Sequence, residues 1–394
     1  MRVACTADWV YCGHGPPLPQ GVVLVEDGQI IAVQSDVPTG IPVRRFTNAA
    51  LLPGLVNAHT HLEFSGLTSP LEPRDRFADW IRSVVDCRRE RGAEQDWIPQ
   101  GLHECESTGT VAFGEIATSD WLAEASVSVL QGLTGVVFRE VLGLRPESHA
   151  AQLETAQRHL SNADRDDAII RGLSPHAPYS VHPALLRSVL ELARQFQAPV
   201  AMHLAESQAE LELLDRGSGP LVELLTSFSV WNASDIPLGT RPLDYLRLLA
   251  PLPCVLVVHG NHLDDEELRF LAEHPHMSVV YCPRTHAAMG HPPHRWREML
   301  EMGINVCLGT DSRASNPDLS VWDELRLVQS LAPDMPASSI LRLGTVNGVR
   351  ALGLSHAGGT IAPGQPANFL VASGSEQLAT DPELVLLRNA DIRV

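Results

Sequence analysis

The chain has 394 residues, 44% hydrophobic and 19% charged, with a formal charge of -18. This composition suits a large packed core and excludes a disordered polar chain, while the scattered acidic surplus excludes an electrostatic nucleic-acid surface and mainly favours solubility. Lysine is absent altogether, which excludes a Schiff-base lysine, a phosphate-loop lysine and a carbamylated lysine bridging two metals.

Residues 1–50 hold short alternating runs, 22–26 and 29–33, split by Asp27-Gly28 and other Pro/Gly turns, and read as strands. The first residues lack the apolar core of a signal peptide, and no apolar run approaches membrane-spanning length. The seven cysteines (5, 12, 87, 105, 254, 282 and 307) form no C-x-x-C pair. They read as reduced thiols, so the expected location is cytoplasmic.

A buried strand over 51–56 runs into Asn57-Ala58-His59-Thr60-His61-Leu62-Glu63. Alternate side chains of a strand share a face, so His59 and His61 project together, close enough to hold one metal ion. Imidazole is a favoured ligand for zinc and other borderline metals. A helix is predicted over 77–85, carrying Trp80. Further strands follow at 109–114, at 135–138 ending in Arg139-Glu140, and at 168–173 ending in Ser174-Pro175-His176. The next four end in His203, His259, Cys282 and Asp311, each after an apolar run. Helical patterns fill the gaps, as over 183–197 and 264–273.

Eight strand–helix units in series predict an α/β architecture, a (β/α)8 TIM barrel, with its active site at the C-terminal ends of the strands. An open doubly wound sheet is the runner-up, but no G-x-G-x-x-G turn follows any strand. The two chain ends, 1–52 and 356–394, both read as β-rich and are expected to pack together as one small β-sandwich domain beside a barrel of residues 53–355. The segment 216–246 exceeds an ordinary strand–helix connection; it reads equally as an active-site cover and as an inert surface insertion.

Taken together, these residues resemble the amidohydrolase superfamily, and more narrowly its deaminase branch acting on amino-purines and related rings. The likeness runs through residues 53–61, 174–179, 203–207, 309–312 and 359–364, nearly the whole chain. A narrower similarity, to aminodeoxyfutalosine deaminases, rests on residues 61–65, Trp80-Ile81 and 282–286. The resemblance implies that His59, His61, His203 and Asp311 hold one divalent metal, zinc first, with iron or manganese as alternatives. It implies Glu206 as the proton-shuttling acid, His259 as a contact to the attacking water or substrate, and Asp311 as a proton acceptor as well as a ligand. Metal ions of this type lower the pKa of bound water to about 7.

One structural condition follows. Residues 203 and 206 lie on opposite sides of a continuous strand, so the strand must end near Ala205 for Glu206 to turn back over the metal. His176, Arg139 and Glu140 at strand ends, and Glu63 and Trp80 near the first strand's loop, are candidate substrate contacts; each also reads as a loop hydrogen bond, an ion pair or core packing. A second ion held by His203 and His259 with Glu140 bridging is the alternative to a single metal. The expected activity is hydrolytic deamination of an adenine-like ring. The alternatives are triazine-type dechlorination, opening of a cyclic amide, and a barrel that binds a ligand without catalysis. The expected partner is a small-molecule substrate, with nucleic acid and membrane excluded and a homo-oligomer left open.

Overall fold

The computed structural model describes every residue except 74–75, 92–96, 120–131, 162–167, 355–357 and 394. The chain opens with strands β1 (Arg2–Val10), β2 (Leu18–Pro19), β3 (Val22–Glu26), β4 (Gln29–Gln34) and β5 (Val43–Pro53). Asp27 and Gly28 take left-handed backbone, φ 49° and 80°, which a two-residue hairpin requires, so the Asp-Gly pair turns β3 into β4.

Gly54 alone separates β5 from the first of eight parallel strands: β6 (Leu55–Thr60), β7 (Thr110–Ala117), β8 (Thr134–Val141), β9 (Ile169–Pro175), β10 (Val200–Leu204), β11 (Val255–His259), β12 (Met277–Tyr281) and β13 (Asn305–Leu308). They stand side by side in chain order. The ends of the sheet meet where the Asp311 N–H donates to the His59 carbonyl at 3.0 Å. Asn57 reinforces this seam, donating to the Thr310 hydroxyl at 2.8 Å and accepting the Thr310 N–H at 3.0 Å. Gly309 permits the approach: a Cβ there would fall 2.7 Å from the His59 Cβ and 2.9 Å from its carbonyl oxygen.

Helices cover the barrel with apolar stripes at helical spacing. Pro183–Phe196 buries Leu185, Leu186, Val189, Leu190 and Ala193, and it stops where Gln197 turns left-handed at φ 53°. Asp265–Glu273 is capped by Asp264, whose carboxylate accepts the N–H groups of Glu266 and Glu267. Both match the helices read from the sequence.

The tail supplies β14 (Phe369–Ser373) and β15 (Asp391–Arg393). They join the opening strands in a second sheet, in the order β15-β14-β5-β1-β3-β4 with β2 on β1. The tail is less β-rich than its composition suggested: helices Glu376–Thr380 and Pro382–Asn389 lie between β14 and β15. Residues 376–389 hold four Leu and two Glu, good helix formers, and Leu378, Leu386 and Leu387 pack into the main core. The boundary expected near residue 355 falls outside the described residues. No helix among the described residues is long and apolar enough to cross a membrane.

Candidate active site

Four polar groups converge at the C-terminal mouth of the barrel. The donor atoms of His59, His61 and His203 lie within 4.8 Å of one another. Asp311 brings a carboxylate oxygen to 3.6 Å from His59 Nε2 and 3.7 Å from His61 Nε2. All four residues are buried. Neither ring nitrogen of His59, nor Nδ1 of His61, has a hydrogen-bond partner. Buried polar atoms are rarely left so, and three converging imidazoles beside a carboxylate are a donor set that could hold a metal ion. His203 Nδ1–H donates to the His176 carbonyl at 3.0 Å, leaving Nε2 with the lone pair. Burial first, then the neighbouring imidazoles, pushes the pKa of His61 and His203 well below the usual histidine value. Both shifts favour the neutral ring, the form in which an imidazole can bind a metal.

Beside these stand Glu206 and His259. Strand β10 ends at Leu204, and Ala205 takes φ 54°, so the chain reverses there as required. The Glu206 carboxylate lies 3.4 Å from His259 Nε2. His259 and Asp311 are also left-handed, at φ 69° and 57°. Such residues cost roughly 1–3 kcal/mol each and gather at functional sites. Burial drives the Glu206 pKa well above the ordinary carboxylate range, and Asp311 and Glu210 add to it. Burial also opposes ionisation of Asp311, but His59, His259 and Ser315 bring its pKa down to about 2. Ser315 donates its hydroxyl to Asp311 at 2.6 Å. The two carboxyls are thus pushed in opposite directions, Glu206 up and Asp311 down, an arrangement suited to acid–base chemistry.

A cavity of about 210 Å³ rises from this cluster. One wall is the helix Phe77–Arg91, through Phe77, Trp80, Ile81 and Val84; a second wall is Leu224, Leu225 and Phe228. The second wall comes from the segment 216–246, which contains the helix Pro220–Ser227 and covers the site. Trp80 lies on the wall and anchors its indole N–H on the Ala314 carbonyl at 3.1 Å.

The remaining candidate contacts divide. His176 lines the cavity, its Nδ1 2.7 Å from the Ser180 hydroxyl. Glu63 and Glu140 are buried behind the wall, 2.7 and 3.7 Å from the guanidinium of Arg88, which is itself a wall residue. Arg139 does not reach the cavity. It is two residues along β8 from Val137, which packs outward with Ile98 and Leu102, and strand alternation sends it the same way. Its guanidinium approaches the Ala117 carbonyl at 3.5 Å. Glu140 sits 3.9 Å from His176 Nε2.

Arg88, Glu115 and Glu210 escaped the sequence reading. Glu115 accepts the Leu62 N–H at 2.9 Å and so shapes the turn after His61. Glu210 stands three residues after Ser207, a capping-box spacing that could have exposed it. Arg88 carries no motif; only the packing of its helix reveals it.

Residues 50–392 match the amidohydrolase family. A 5-methylthioadenosine/S-adenosylhomocysteine deaminase of Halalkalibacterium halodurans is 29% identical over 380 residues, covering 91% of this chain and 81% of its own. The structure of Helicobacter pylori aminofutalosine deaminase superposes with a TM-score of 0.80 at 26% identity, covering 99% of this chain and 98% of that one. An adenosine deaminase from Xanthomonas campestris with bound zinc gives a TM-score of 0.77 at 25% identity, covering 98% and 89%. With eight parallel strands, an H-x-H pair on the first and a match across most of its length, this chain belongs to the amidohydrolase family.

Proposed function

We infer that this protein is a metal-dependent aminohydrolase that releases ammonia from an adenine-like ring. The observation that carries this reading is geometric: three buried imidazoles whose donor atoms lie within 4.8 Å of one another, with Asp311 3.6 Å from His59 and Glu206 3.4 Å from His259, at the floor of a largely apolar pocket. The deaminase names of its relatives support it.

His59, His61, His203 and Asp311 would hold one divalent ion, zinc in the first place, and their unsatisfied buried nitrogens fit such a group. When bound, the ion supplies Lewis acidity and lowers the pKa of a bound water to about 7. The chain's own residues do the rest. Asp311, ionised, accepts a proton from the attacking water at its carboxylate. Glu206 delivers its proton to the ring nitrogen beside the attacked carbon; the proton that Asp311 took from the water then goes to the departing amine, and as ammonia leaves, the remaining hydroxyl proton returns to the Glu206 carboxylate. His259, neutral because burial above all lowers its pKa, hydrogen-bonds the attacking oxygen through Nε2. His176, held by Ser180, and Trp80, held by Ala314, orient the ring, while Phe77, Leu224 and Phe228 exclude bulk water. The seven free thiols support the cytoplasm as its location.

The test is ammonia release from adenosine, methylthioadenosine, adenosylhomocysteine, aminodeoxyfutalosine, guanine and cytosine by the zinc-loaded protein. Release from one adenine nucleoside is expected. Glu206→Gln should lower kcat by roughly 10²–10⁴-fold, the usual worth of a general acid, with metal content unchanged. Silence on the whole panel from protein carrying its metal would refute the deaminase reading.

A further inference from the structure

Glu210 is wholly buried and lies outside the cavity wall. Its two carboxylate oxygens each accept one backbone N–H from the turn before it, Ala205 at 2.8 Å and Glu206 at 2.9 Å. The loop after β11 grips the other side of the same turn. The Gly260 N–H donates to the Leu204 carbonyl at 3.1 Å, and the His262 N–H to the Ala205 carbonyl at 3.0 Å. The Asn261 amide donates to the Glu206 carbonyl at 2.9 Å. Both N–H groups of residues 205–206 and all three carbonyls of 204–206 are thus held. That loop starts from His259, the residue facing the Glu206 carboxylate at 3.4 Å.

We propose that Glu210, with Asn261, is a positioning residue that sets the acid Glu206 against His259; this rests on Glu206 being the acid. Alanine does not favour the left-handed backbone that residue 205 adopts at φ 54°. The turn persists because a carboxylate satisfies its two buried N–H groups. Glutamine at 210 keeps the volume but offers one acceptor oxygen and sets an NH₂ group against the other N–H. The turn then relaxes and carries Glu206 away from its working position, and a displacement of about 1 Å is enough to cost on the order of 10²-fold in rate.

The experiment is a double-mutant cycle on the zinc-loaded enzyme, reading kcat, KM, bound zinc and melting temperature for Glu210→Gln, Glu206→Gln and the double variant. We expect Glu210→Gln to lower kcat by about 10–100-fold with zinc retained and KM within about twofold. In the Glu206→Gln background the same substitution should change the residual rate by less than about twofold, because its whole effect passes through Glu206. A merely structural role would lower the melting temperature and leave kcat of the folded enzyme alone. Wild-type kcat in Glu210→Gln, or an equal loss in both backgrounds, overturns the proposal. Should Glu210→Gln not fold, Asn261→Ala serves in its place, with a smaller kcat loss that Glu206→Gln again absorbs. A wild-type rate in Glu206→Gln overturns the acid assignment and this proposal with it, whereas additivity overturns only the proposal.

Discussion

Replacing Gly309 with alanine tests whether the close seam between the first and last barrel strands is what seats His59. The new Cβ would lie 2.7 Å from the His59 Cβ, 2.9 Å from its carbonyl oxygen and 3.0 Å from its nitrogen. Carbon atoms pack best at about 3.5–4.0 Å, so the seam must open by roughly 1 Å. His59 has no side-chain rotation that relieves this, because the crowded atoms are its own backbone and Cβ. The same carbonyl receives the Asp311 N–H at 3.0 Å, so opening the seam also parts His59 from Asp311. Overpacking of this kind costs about 1–3 kcal/mol of stability. Displacing a ligand's support typically lowers metal affinity by about 10–100-fold. A chelator-competition titration of zinc and a thermal melt of the metal-free protein read the two effects separately. Wild-type zinc affinity together with a wild-type melting temperature would refute the reasoning that this contact positions the ligand.

Stripping the protein with a chelator should abolish ammonia release, and one equivalent of zinc per chain should restore it; His203→Ala should not be restored, and recovery there would remove His203 from the ligand set. Glu140 is held up at about 7, burial outweighing the lowering by Arg88. The folded protein therefore binds this proton more tightly than the unfolded chain, a stabilisation complete below about pH 4 and lost as pH rises through about 7. Between those limits the wild type should lose on the order of 3 kcal/mol relative to Glu140→Gln, and parallel curves of denaturation midpoint against pH for the two proteins would contradict this. Phe228 is half-buried on the cavity wall. Truncating it removes apolar contact common to ground and transition states, so Phe228→Ala should raise KM about tenfold and leave kcat nearly unchanged; a fall in kcat with constant KM would place Phe228 in the chemistry instead.

Local signals along the chain specify the barrel and the strand ends that form its mouth. Apolar runs with β-branched residues ending in His59, His61, His203, His259 and Asp311 needed only the strand period and the rule that barrel sites gather at strand ends. The spacing of His203 and Glu206 even demanded a reversal at Ala205, because a continuous strand would part them. What strand periodicity could not settle was the far side of each element. Arg139 and Glu140 are neighbours in sequence and both looked like contacts, yet β8 sends one out and the other in. Arg88 and Phe228 lie 140 residues apart in number and line one cavity only because the helix Phe77–Arg91 packs against the helix Pro220–Ser227. Glu210 has its role from the folded chain, which places two N–H groups within its reach. The sequence by itself determined which imidazoles and carboxyls stand at the strand ends, because residue type and strand period are local properties. Only the tertiary structure decided what surrounds and holds them, because pocket walls, buried ion pairs and backbone clamps are made between segments far apart in the chain.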